Sequence, residues 1–206
     1  MAITTENDIV NLALAHLHEA ALADYTDVTD TTPPAVAARL SFDMVRDMVL
    51  REHDWGFALH SAELVASADD ADADWSYKYD FPTGALRVVR LRNDNTRKAA
   101  DLEFTTRHST DSGVEVIVTD QAEAVAEFIY QETDVTKWLT DKNFVEALVF
   151  RLAAYLAGPV TGSSAIRAEM LQLFGQTVNQ AKQLDSSEQR VDVADNPNQA
   201  YVDARL

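Results

Sequence analysis

The chain has 206 residues, with 34 acidic against 17 basic side chains, a formal charge of −17, 47% hydrophobic residues and no cysteine. That length suits one domain, or one domain with a sizeable insertion, and the apolar content is enough for a proper core. The missing cysteines exclude disulfides, thiol catalysis and thiolate zinc sites. The acidic balance argues against gripping DNA, because sequence-independent affinity for DNA comes from Lys and Arg.

The first residues carry no basic region and no long apolar run, so no signal peptide is expected. No apolar window approaches the ~18 residues of a membrane span, and a soluble protein made in the cytoplasm is the expectation. Residues 5–20 are predicted as a helix on the stripe Ile9, Leu12, Ala13 and Leu17, with Thr5 and Asp8 spaced as a capping box. A loop rich in Asp and Thr follows. Pro33 and Pro34 suit the first turn of a second helix running to about Glu52. Its apolar face is read as Val36, Leu40, Met44 and Met48, widened by Val45, Val49 and Leu50.

Residues 66–74 are small and acidic and read as a solvated loop. From residue 75 the period becomes two, with Trp75, Tyr77, Tyr79 and Phe81 on one face, which predicts a half-buried strand. Pro82 and Gly84 make a turn. Residues 86–92, 101–105, 114–119 and 124–131 are further strand candidates, and their short connections predict an antiparallel meander. Helical spacing returns near Asp141. Apolar residues cover most of that helix's circumference, so it should be central and buried until Gly158 and Pro159 stop it. Ser163 or Ser164 can cap a last helix, whose stripe runs Ile166, Met170, Phe174, Val178, Ala181 and Leu184. After Ser187 the pattern decays.

The expected architecture is therefore α+β: a four-helix core with an inserted antiparallel β-region and an extended C-terminal arm. Residues 1–65 would hold the N-terminal helices, 75–131 the β-region, 138–187 the C-terminal helices and 188–206 the arm.

Motifs for chemistry are scarce. His16 and His18 lie two apart, which on a helix sends them to different sides and prevents a shared metal. His53, near a helix end, is placed to meet exposed carbonyls. Asp70, Asp72 and Asp74 start a calcium-loop pattern, but Trp75 stands where the loop needs glycine and Phe81 where it needs a bidentate acid. No phosphate-binding glycine loop, zinc helix motif or nucleophile elbow is present. Neither a cofactor nor a metal site is expected, and no enzyme. One local charge feature remains: Arg87, Arg90, Arg92, Arg97 and Lys98 fall within a dozen positions. Such a patch fits contact with the acidic surface of a neighbouring subunit. It equally fits an exposed strand protected by charge against edge pairing.

Several stretches together resemble the tail tubular protein A family, the head-to-tail adaptors of short-tailed phages. Asn11, Ala13, Leu14 and Leu17 form an N-x-A-L-x-x-L helix. Arg46, Val49, Leu50, His53, Trp55, Phe57 and Ala58 are similar to the family's R-x-x-V-L-x-x-H-x-W-x-F-A segment. Trp75 to Pro82 resembles its W-x-Y-x-Y-x-x-P strand, followed by Leu86, Arg87 and Val88. Ile117, Thr119 and Asp120 match a strand ending in Thr-Asp, and residues 144–163 resemble its long apolar helix and turn. Tyr201, Ala204 and Arg205 are similar to its C-terminal ending. The departure is His18, where glycine is expected to close the first helix.

The resemblance implies a virion tail component assembled in the host cytoplasm. It would be a homo-oligomeric ring of about twelve copies, closed by heterologous interfaces. Its partners would be the portal protein, the tail nozzle protein and tail fibre protein, with DNA passing through the channel without specific binding and no membrane involved. Arg87, Arg90, Arg92 and Arg97, with Tyr201 and Arg205 of the arm, are the candidate interface residues. Three rivals stand beside this reading. One is a connector or head-completion protein of another tailed-phage type. Another is a carbohydrate hydrolase, which needs two carboxylates across one cleft. The third is a small acidic binding module of the host.

Overall fold

Thr5 opens the first helix, α1 (Glu6–His16), through the expected capping box: its side chain accepts from the Asp8 N–H, and Asp8 answers onto the Thr5 N–H. The helix ends earlier than the expected residue 20. His18 adopts a left-handed φ of 60°; its N–H reaches the Ala15 carbonyl and the Glu19 N–H the Leu14 carbonyl. That paired closure is the one in which glycine is usual. A computed structural model describes residues 3–69, 74–93 and 101–188, excepting the side chains of 185–188. Arg97, Lys98, Asp70, Asp72, Tyr201, Arg205 and residues 189–206 of the expected C-terminal arm lie outside the described residues; Glu188, expected in the arm, ends the last helix.

The Asp/Thr loop has a hidden order. Asp24, Asp27 and Asp30 each accept a backbone N–H two residues on, from Thr26, Thr29 and Thr32, giving three successive Asx turns. Arg39 then pins the loop by donating to the carbonyls of Asp27 and Asp30.

The second helix, α2 (Pro33–Glu52), begins with its prolines at the first turn as expected. Its buried face corrects the sequence expectation: Ala35, Ala38, Phe42, Val45 and Val49 enter the core, whereas Leu40 is 80% exposed and Met44 43%. The helix carries two apolar stripes, and smaller residues with Phe42 win the core because they allow close approach to a neighbouring helix.

No strand is expected before residue 75, yet β1 (Leu59–Glu63) pairs antiparallel with β7 (Val125–Tyr130). Between them come β2 (Tyr77–Asp80), β3 (Ala85–Arg92), β4 (Asp101–Leu102), β5 (Phe104–His108) and β6 (Glu115–Thr119). The expected meander is absent. The strands form two antiparallel sheets, ordered β1-β7-β3-β4 and β2-β6-β5. Consecutive β6 and β7 lie in different sheets, a choice of partner that alternation within a strand does not encode. Of the aromatic strand face, Tyr79 is buried between the sheets while Tyr77 is 42% exposed. Gly84 makes the turn into β3 at a φ of 76°, where a side chain would strike the Tyr130 ring.

The four-stranded sheet is the middle layer. Ile129, Leu86 and Val89 on one face join the helical core, and Leu91, Ala126 and Phe128 on the other meet Tyr79 and Ile117 of the three-stranded sheet. A short helix, α3 (Val135–Trp138), buries Trp138 beneath α2.

Helix α4 (Lys142–Thr161) is central, as expected: it packs against α1, α2 and α5 (Ser164–Glu188). Asp141 caps it by accepting the Phe144 N–H. Gly158 and Pro159 do not stop it. A glycine before proline removes the Cβ that would resist helical geometry there, and the stop comes instead at Gly162, left-handed at φ 66°. By length and composition α4 could cross a bilayer, contrary to the expectation that no window would; 61% of that apolar window is buried inside the fold. Ser163 caps α5, its hydroxyl accepting the Ile166 N–H. Met170, Phe174, Val178 and Ala181 are buried as expected, and Leu184 remains 44% exposed.

Candidate interaction surface

The residues of the R-x-x-V-L-x-x-H-x-W-x-F-A segment are placed for packing. Arg46 is nearly buried, with Asp43 and Asp47 each 2.9 Å from its guanidinium, which lies over the Trp138 ring. Asp47 also accepts from the Gln131 amide at 2.6 Å, tying α2 to the end of β7. The Trp55 indole donates to the Val49 carbonyl at 2.9 Å, and Trp55 and Phe57 both set their rings edge-on to Phe144. A cation between two carboxylates and an indole on a backbone acceptor satisfy buried polar groups. They build the corner where α2 turns into the sheet.

A second corner is polar and buried. The Glu132 carboxylate accepts from Lys137 Nζ at 2.6 Å and from the Asp134 N–H at 3.0 Å, while its carbonyl receives the Trp138 indole. Burial pushes the Glu132 carboxyl up, but these donors outweigh it and hold it below its ordinary 4.5. The Tyr25 hydroxyl donates to Glu6, and burial, first, with that carboxylate beside it, raises the phenol. Among the described residues no group of three His, Asp or Glu is placed to hold a metal ion.

The arginines expected at an interface have partners within the subunit. Arg87 donates to the Arg51 carbonyl at the end of α2 and pairs with Asp54, clasping the sheet to the helix. Arg90 and Arg92 converge on Glu127 of β7, each at 2.6 Å. They do not sit on a bare edge strand: β3 lies between β7 and β4, although β4 covers only Leu91 and Arg92. Arg90 keeps 40% of its side chain exposed and Arg92 only 12%.

Two other surfaces stand out. The first is a ridge on α2. Val36, Leu40, Met44 and Met48 recur every four residues, on the side away from Phe42 and Val45. Beside it a shallow hollow of about 380 Å³ runs between Leu40 of α2 and Tyr155 and Pro159 of α4. One turn back from Tyr155 lies Arg151, which the sequence reading passes over. Its guanidinium stands 5.9 Å from the Tyr155 ring centre and 5.1 Å from that of Phe174. Its buried Nε has no hydrogen-bond partner, and among the described residues no carboxylate pairs with it. The second surface is a groove of about 730 Å³ between α1 and α4, lined by Ile3, Leu12, Val145, Val149 and Phe150, with exposed Lys142 and Glu146 on its rim.

The ridge had a signal in the sequence: α2 holds more apolar residues than one face can take, and the surplus falls in a second stripe. Arg151 had none, because one arginine in an apolar run looks the same whether paired or bare. No protein-family model matches the chain, and no characterised protein sequence matches it.

Proposed function

We propose that this chain is a structural subunit of the head-to-tail adaptor ring of a short-tailed phage, seated between portal and tail nozzle, with DNA passing through the ring. Its work is assembly geometry and not a reaction. The observation that carries the reading is the outward apolar stripe of α2. An exposed Leu40 beside Met44, flanking a hollow, is a surface suited to a protein partner, and it sits on the helical body that the resembling segments build.

Those segments support the reading in a second way. Arg46, Trp55, Phe57 and Phe144 make architecture at the corner between helices and sheet, as expected of a scaffold whose task is shape. Arg90, the most exposed of the three described arginines, is the one best placed for an outside partner; Arg87 and Arg92 act chiefly within the subunit. Arg97, Tyr201 and Arg205 remain candidate interface residues.

Co-expression with the cognate portal protein, followed by electron microscopy, tests this. The expected result is a ring of this chain docked on the portal. A chain that stays monomeric beside assembled portals overturns the reading. So does release of reducing sugar from purified cell envelope, which favours the hydrolase rival.

A further inference from the structure

We propose that the subunits join head to tail, the α2 ridge of one copy entering the α1–α4 groove of the next, with Arg151 of the first paired to Glu146 of the second. The inference rests on the adaptor-ring reading and deepens it by assigning the contact that closes the ring.

Shape comes first. The ridge is convex, with Leu40 80% and Met44 43% exposed, and the groove is concave, with Leu12 39% exposed along one wall. Each is apolar, so their union removes from water what either leaves exposed alone.

Charge then fixes the orientation. Arg151 is a cation without a carboxylate among the described residues, held between two aromatic rings, so little side-chain freedom is lost when it meets an acceptor. An arginine in an apolar surround is a frequent anchor of protein interfaces. Glu146 is exposed on the groove rim and ion-paired to nothing among the described residues. The second pair has the opposite sense: Asp43, which meets Arg46 through one oxygen, stands on the ridge side with 82% of its side chain exposed, and Lys142 on the groove rim. Ridge and groove thus carry crossed charges, which favours this docking over ridge on ridge or groove on groove.

Direction completes the case. Glu146 and Arg151 are five residues apart on α4, which at ~100° per residue turns them about 140° from one another. These two charged groups therefore point to different sides of the same helix. A contact between unlike, divergent faces repeats from copy to copy and ends only when rotation closes it.

The absence of cysteine makes a thiol test clean. Leu40→Cys and Leu12→Cys are purified separately, mixed under the conditions of assembly, with portal present, and treated with a short bismaleimide. The expected products are heterodimers from the mixture, a ladder from the double variant, and no cross-linking from either variant alone. Rings visible by electron microscopy without a 40–12 cross-link, or with 40–40 dimers in its place, overturn this interface and leave the adaptor reading standing. A chain that never assembles overturns both. In parallel, Arg151→Glu and Glu146→Arg should each weaken assembly at least tenfold, with circular dichroism spectra that keep the parent's helix and strand content. The double exchange should restore it; a double variant no better than the singles overturns the pairing.

Discussion

His18 closes α1 with a left-handed backbone: its side chain is exposed and stands at the turn where glycine is usual. An L-residue in that conformation costs about 1–2 kcal/mol, part of which glycine returns through its freer unfolded chain. His18→Gly should therefore stabilise the fold by about 1 kcal/mol, raising the melting temperature by roughly 2–4 °C for a domain of this size. An unchanged or lower melt would mean that the imidazole has a role at the turn. Glu132 gives the opposite kind of residue, one whose charge the fold needs. Its carboxyl is held below 4.5, so the stability it supplies is complete above the unfolded value and is lost as the pH falls through the folded one. Lys137, held above 10.5 chiefly by its bond to Glu132, contributes until the pH rises through its own folded value. At neutral pH both are charged and paired. Glu132→Gln should thus be less stable than the parent at pH 7 and lose less stability between about pH 5 and about pH 3. Parallel melting curves for the two proteins over that range would contradict the assignment.

At the scale of elements, α2 and α4 answer different demands. Leu148 and Leu152 of α4 are fully buried, so truncating either to Ala should cost about 2–5 kcal/mol. Phe42→Ala on the inner face of α2 should cost about 3–5 kcal/mol. Leu40→Glu on its outer face should leave the melt within about 0.5 kcal/mol of the parent, as a surface change does. Equal losses at Leu40 and Phe42 in thermal denaturation would put the ridge in the core after all. This contrast also marks how far the sequence could be read. The existence of the four long helices was legible from period and capping, while that of the short α3 was not. Thr5 with Asp8, Asp141 and Ser163 mark starts that the structure keeps. The apolar run of α4 announced a buried helix. Which stripe of α2 faces inward was not legible, because Val36, Leu40, Met44 and Met48 make as good a stripe as Ala38, Phe42, Val45 and Val49. Only the spacing to α4 decides between them. Partner choice among the strands was equally hidden, since β6 and β7 are neighbours in sequence and members of different sheets. The arginines of β3 were legible as a cluster; that Glu127 lies opposite Arg90 depends on the β3–β7 register and its irregular steps.

For the whole molecule the decisive quantity is charge, because a net −17 acts on any partner that approaches. Binding to duplex DNA draws most of its strength from counterions released as Lys and Arg meet phosphates, so it needs cations that can turn outward. In this fold many of the described cations are already committed: Arg46 to Asp43 and Asp47, Arg87 to Asp54, Arg90 and Arg92 to Glu127, Lys137 to Glu132. Arg39 is bound to the carbonyls of its loop. A phosphate competing for Arg92 would have to displace a carboxylate 2.6 Å away at a site where the arginine is 12% exposed. It would do so against the repulsion of the surrounding acids. Duplex binding should then be undetectable by gel shift at about 0.15 M salt, and lowering the salt should not reveal it, because weaker screening strengthens the repulsion as much as the attraction. Salt-sensitive micromolar affinity would show that basic groups had been freed, and would count against the proposed ring that lets DNA pass without gripping it. Removing one charge from the ion pairs separates local from global effects. Glu127→Gln releases Arg90 and Arg92 but leaves the molecule strongly acidic, so if net charge governs, this variant too should fail to shift duplex DNA.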